Sequence, residues 1–191
     1  MRLVLDQFAA LVALVRGSDR WRSLLRINGE MALIAVLLLA ACFWTSNRLI
    51  TGEGAAPLLL VWLVIMGLAS CGFVALLAGL LGRREMMLPI AFSSLWYMIA
   101  FCAAVTVVAL IQNKLMSAPS FDDDLSGGFP YHHLIAFLLG AAFFLSCFWS
   151  IYRIVRTMLS LPKLHSIAFV FADAGFAWLT TALTNRLFES A

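Results

Sequence analysis

One carboxylate stands out. The run FVFADAGFAWLTT, residues 169–181, is almost wholly apolar yet carries Asp173 near its middle. A lone charge at the centre of a membrane helix costs about 2.5–3.5 kcal/mol on insertion scales. Such a group must pair with a cation, accept hydrogen bonds or bind a proton. Ala177, Thr180, Thr181 and Thr184 follow Asp173 at helical spacing, so a polar stripe runs from it toward the end of the segment. Ala168, Ala172 and Gly175 lie beside the stripe and would admit a close neighbouring helix. The preceding apolar segment has its own stripe, Ser146, Ser150, Arg153 and Thr157. Arg153 could reach Asp173 as an ion partner, and Ser150 could lie at its depth. Ser93 and Tyr97 sit at a similar depth in the segment before that. Asp173, Arg153, Ser150, Tyr97 and Ser93 therefore form the candidate intramembrane polar cluster. Its chemistry is either internal bonding between helices, or a proton or ion site, or the contact for a partner helix.

The other reactive side chains suggest less. Cys42, Cys71, Cys102 and Cys147 each lie inside an apolar run without CxxC spacing, as buried thiols do. Asp122, Asp123 and Asp124 are adjacent rather than alternating, which suits a solvated loop better than a calcium loop. His132 and His133 are neighbours and point about 100° apart on a helix, so one helix face cannot present both to a metal. With His165 they fall at segment ends, where a membrane heme would not find them. No P-loop, GxSxG or HExxH pattern occurs. The expectation is a non-enzyme with no cofactor and no metal.

These residues need elements to hold them. Of 191 residues 63% are hydrophobic and 12% charged, against about 25% charged in soluble domains. The expected fold class is all-α, a polytopic integral membrane protein of five transmembrane helices. The spans run about 31–47, 55–81, 86–111, 131–155 and 166–185. A span needs about 20 residues, so the first is the shortest and the second and third must tilt or overshoot.

Residues 1–30 form a basic interfacial segment of short amphipathic helices. LVLDQFAALVALV is too short to span and carries Asp6. After Gly17, Ser18 can cap a second short helix, SDRWRSLLRIN, with Trp21, Leu24, Leu25 and Asn28 on one face. Trp21, Arg16, Arg20, Arg22 and Arg26 are the candidate contacts to lipid headgroups or a partner. No basic surface interleaved with aromatics suggests nucleic acid. Whether Leu3–Val15 lies on the bilayer or docks on a partner stays open.

The basic residues alternate with the spans. Arg2, Arg16, Arg20, Arg22, Arg26, Arg83, Arg84, Arg153, Arg156 and Lys163 fall on one side. Only Arg48, Lys114 and Arg186 fall on the other. By the positive-inside rule the N-terminus is cytoplasmic and the C-terminus is not.

Two stretches carry a family likeness. LLAGLLGRREMMLPIAFSSLWYMIAF resembles the helix, glycine-containing basic turn and polar-aromatic helix of the Yip1-domain membrane proteins. FWSIYRIVRTMLSLPKLHSIAFVFADAG resembles that family's Trp/Tyr-rich fourth span, basic turn and Ala-rich fifth. The likeness covers most of the chain in layout. It implies a non-enzymatic membrane scaffold or accessory subunit that binds other membrane components. The eukaryotic members bind prenylated GTPases, but the DLYGP-type segment that precedes their first span is missing here. A bacterial-type member in the inner (cytoplasmic) membrane is the expectation, with membrane lipids and a membrane-protein partner or a second copy as its contacts. The alternative is a small permease or channel subunit with Asp173 as its coupling site.

Overall fold

The computed structural model describes residues 2–52, 57–116 and 131–189. Among the described residues there are seven α-helices, one short 3-10 turn and no strand. They are α1 (Arg2–Arg16), α2 (Trp21–Leu24), α3 (Gly29–Thr51), α4 (Pro57–Leu80), α5 (Met87–Met116), α6 (Tyr131–Leu159) and α7 (Lys163–Glu189). The 3-10 turn, Arg84–Met86, leads into α5.

α3 to α7 are the five expected spans, each long and apolar enough to cross a membrane. The first is longer than its expected bounds, because residues 29–30 and 48–51 are helical as well. Asn28 opens it: its backbone is extended and its Oδ1 accepts from Met31 N–H at 2.8 Å. The expectation that Asn28 belongs to the preceding short helix is thereby corrected. Asn bonds backbone N–H groups better from a cap than from a helix interior. α5 has 30 residues, about 45 Å at 1.5 Å each, so it outruns a hydrocarbon core of about 30 Å. The acidic loop with Asp122, Asp123 and Asp124 lies outside the described residues.

α5 is the central pillar. It packs against α3, α4, α6 and α1. Its buried residues, Phe92, Ser93, Leu95 and Trp96 among them, point to several sides, which requires a helix apolar nearly all round. α7 packs chiefly on α6 and α4. Phe73 of α4 stacks on Phe176 of α7, with ring centroids 4.3 Å apart. The outer surface keeps large apolar side chains exposed, such as Phe137 at 70%, Leu145 at 69% and Trp178 at 73%. Water would not tolerate so much exposed apolar surface, but hydrocarbon does.

The N-terminal helix is not a loose anchor. α1 presents Gln7, Ala10, Leu11 and Leu14 at helical spacing and buries them against α5 and α6. Phe8 meets the edge of Trp96 at 5.4 Å. Leu5 and Val12, on the far side, stay exposed. α1 ends in a Schellman motif. Gly17, at φ 73°, takes the left-handed position, and Ser18 N–H reaches back to Ala13 O at 2.9 Å. A similar glycine, Gly82 at φ 75°, ends the chain segment after α4, with Arg83 N–H on Ala78 O.

The second short helix is only one turn, Trp21–Leu24, and Leu25 is already extended. Trp21 is 5% exposed. It is therefore a core residue rather than the expected headgroup contact. The turn after Gly17 swings α2 against α1, and the largest apolar side chain takes the enclosed position. Arg16, Arg20, Arg22 and Arg26 are exposed, as a headgroup contact requires.

Candidate functional site

A partly open cavity of about 540 Å³ lies between α5 and α7, walled also by α3, α4 and α6. α7 supplies Asp173, Ala177, Thr180, Thr181 and Thr184, the whole stripe read from the sequence. α5 supplies Ser94, Tyr97, Met98, Phe101, Cys102 and Val105, again at helical spacing. Ser70 and Gly67 enter from α4 and Ser46 from α3. The rest of the wall is mainly aliphatic and aromatic, including Leu63, Val155 and Phe169.

Most hydroxyl protons of this wall are already spent. Thr180 and Thr181 both donate to Ala177 O, at 2.9 and 2.8 Å. Thr184 donates to Thr180 O and accepts from Trp62 Nε1 at 2.8 Å, tying α7 to α4. Tyr97 O–H donates to Cys147 O of α6 at 3.2 Å. Ser46 bonds Thr106 Oγ1, whose own proton can go to Cys102 O. What these groups offer the cavity is oxygen lone pairs. Asp173 adds a carboxyl, and among the described residues no side chain hydrogen bonds or ion-pairs with it. No Lys, Arg or His lines the cavity.

The expected cluster is therefore only partly assembled. Asp173 and Tyr97 share the cavity; Ser93, Ser150 and Arg153 do not. Ser93 is fully buried, one turn from Trp96 on the face that α5 turns to α1, and its Oγ has no partner. Its neighbour Ser94 is the one in the cavity, because adjacent helix residues point about 100° apart. Ser150 donates to Ser146 O of its own helix at 2.8 Å. Arg153 points to α1, where its Nε donates to Val15 O at 2.9 Å, and Thr157 donates to Leu14 O at 3.0 Å. The arginine does not neutralise Asp173. It fills a free carbonyl at the end of α1, a site that carries the negative end of the helix dipole.

The small residues fare no better. Ala168, Ala172 and Gly175 are exposed, and a Cβ added at Gly175 would meet nothing within 4 Å. The aromatic pair Phe73–Phe176 sets the spacing of α7 from α4 instead. Sequence reasoning also missed Ser70, Ser94 and Ser46. Ser94 was within reach, since Ser94, Tyr97, Phe101 and Val105 repeat at three and four.

No protein-family model, curated protein or solved structure matches this chain.

Proposed function

We propose that the chain is a non-enzymatic integral membrane protein, Yip1-like in layout, that acts by binding other membrane components. The cavity between α5 and α7 is the place where an apolar component is held. The observation that carries this reading is the cavity itself, about 540 Å³ of mostly apolar wall inside the membrane-spanning bundle. Sites for small molecules have this size and lining, with few polar groups to orient the guest. The exposed arginines at positions 16, 20, 22 and 26 supply a second contact, to anionic headgroups or an acidic partner. The basic bias favours an orientation with the N-terminus in the cytoplasm and the C-terminus outside.

The test is extraction of the tagged chain directly into native nanodiscs, followed by mass spectrometry of protein and extractable small molecules. A membrane protein or an apolar compound recovered in stoichiometric amount supports the reading. A folded, homogeneous chain recovered with bulk lipid alone overturns it.

A second reading has its own support. Asp173 opens a row of Thr180, Thr181 and Thr184 along one cavity wall, as a coupling carboxyl beside a path in a small permease or channel subunit would. In that case Asp173→Asn abolishes a flux in proteoliposomes while leaving the fold intact.

A further inference from the structure

We propose that the cavity accepts an amphipathic amine, a protonated primary ammonium on a hydrocarbon body, with the ammonium at Asp173 and the hydrocarbon along the aliphatic wall. The proposal rests on the reading of the cavity as a binding site and adds the chemistry of its guest.

Three observations select that chemistry. First, the cavity contains a carboxyl but no basic side chain. Arg153, the nearest expected counter-ion, is engaged at Val15 instead. A charge in such surroundings is stabilised only by a cation brought from outside or by a proton. Second, Tyr97 shares the cavity with Asp173 and gives its proton to Cys147 O, so its free lone pairs match a group rich in N–H. Ser70 and Ser94 add only neutral hydroxyls to the wall, so an anionic guest would find no cation to offset its charge there. Third, the remaining wall is apolar, so a small hydrated cation would lose its water without replacement. A hydrocarbon body recovers that loss by filling the space.

The experiment uses the full chain in phosphatidylcholine nanodiscs at neutral pH. Binding of radiolabelled dodecylamine and dodecan-1-ol is measured, with uptake by empty discs subtracted. The two probes share a chain length and differ in the head. A charged hydrogen bond corresponds to about a tenfold or greater change in affinity. The expected result is saturable binding of dodecylamine, one per chain, about tenfold or more tighter than dodecan-1-ol. Asp173→Asn should remove that preference. Ala177→Phe, which keeps Asp173 and fills the cavity, should lower the binding of both probes. Equal affinities in the unmodified chain would overturn the amine while leaving the apolar site in place. Saturable binding of neither probe would overturn both. A preference that survives Asp173→Asn, or undiminished binding of both probes in Ala177→Phe, would put the amine elsewhere and overturn the assignment. If Asp173→Asn fails to fold, the comparison of the two probes on the unmodified chain still decides.

Discussion

Arg153 Nε donates to the carbonyl oxygen of Val15 at 2.9 Å, across 138 positions of sequence. The bond joins the last turn of α1 to the C-terminal third of a membrane-spanning helix. The Schellman turn satisfies the carbonyls of Ala13 and Leu14, and Val15 would otherwise be left bare. A positive guanidinium at that end is favoured by the helix dipole as well. Thr157 adds a bond to Leu14 O one turn further along α6. Arg153 thus works as a latch on the N-terminal helix. Arg153→Ala should cost about 1–2 kcal/mol. It should also raise hydrogen exchange at the amides of Gly17 and Ser18 far more than at those of α4. Unchanged exchange there would mean that burial of Leu14 and Gln7 holds α1 unaided.

The same bond separates Arg153 from Asp173 energetically. Residues that share no partner show coupling below about 0.5 kcal/mol in a double-mutant cycle. Asp173→Asn should therefore leave thermal stability in detergent unchanged or slightly higher, since an amide in the cavity needs no counter-ion. The double variant should therefore show the Arg153→Ala loss plus the separate Asp173→Asn effect, with no further term. A coupling of about 1 kcal/mol or more would show that the two pair after all.

Gly17 offers an independent check on the latch. Its φ of 73° is left-handed, a region that costs an L-residue about 1–2 kcal/mol. A Cβ there would also stand 2.8 Å from Arg153 Nη2. Gly17→Ala should destabilise by at least the backbone amount and displace the guanidinium. In an Arg153→Ala background only the backbone part should remain. Denaturation midpoints of the two single variants and the double measure this directly, and a fully additive pair would contradict the contact.

The unequal legibility of the chain has a physical basis. Five spans could be read because each is a long apolar run, a signal local to its own segment. The Asp173–Thr184 stripe could be read because helical periodicity is local too. What α1 touches could not. Its run is too short to span, and amphipathic helices that lie on lipid and those that dock on protein share one pattern, so the choice depends on residues 138 positions away. The pairing of Arg153 went astray for the same reason. Depth in the membrane placed it near Asp173, but direction around α6 sends it to α1. Ser93 and Ser94 show how sharp that limit is: one position separates a side chain sealed beneath α1 from one in the cavity.

A cross-helix bond between Trp62 and Thr184 ties one side of the cavity wall together. Trp62 Nε1 donates to Thr184 Oγ1 at 2.8 Å, while the Thr184 proton goes to Thr180 O. Both lone-pair and proton directions of the hydroxyl are thus fixed, and α7 is held to α4 at the end of the stripe away from the α6–α7 turn. Interhelical hydrogen bonds in membranes contribute about 0.6 kcal/mol on average. Thr184→Val keeps the shape and removes the acceptor, so a loss of about that size is expected, with red-edge changes in Trp62 emission. Because the chain has six tryptophans, the emission is read as the difference from Trp62→Phe. Thr184→Ser retains the oxygen and should match the unmodified protein in both readouts. Equal losses in the Ser and Val variants would assign the effect to the lost methyl and its packing, and the bond would then contribute nothing to holding the cavity wall.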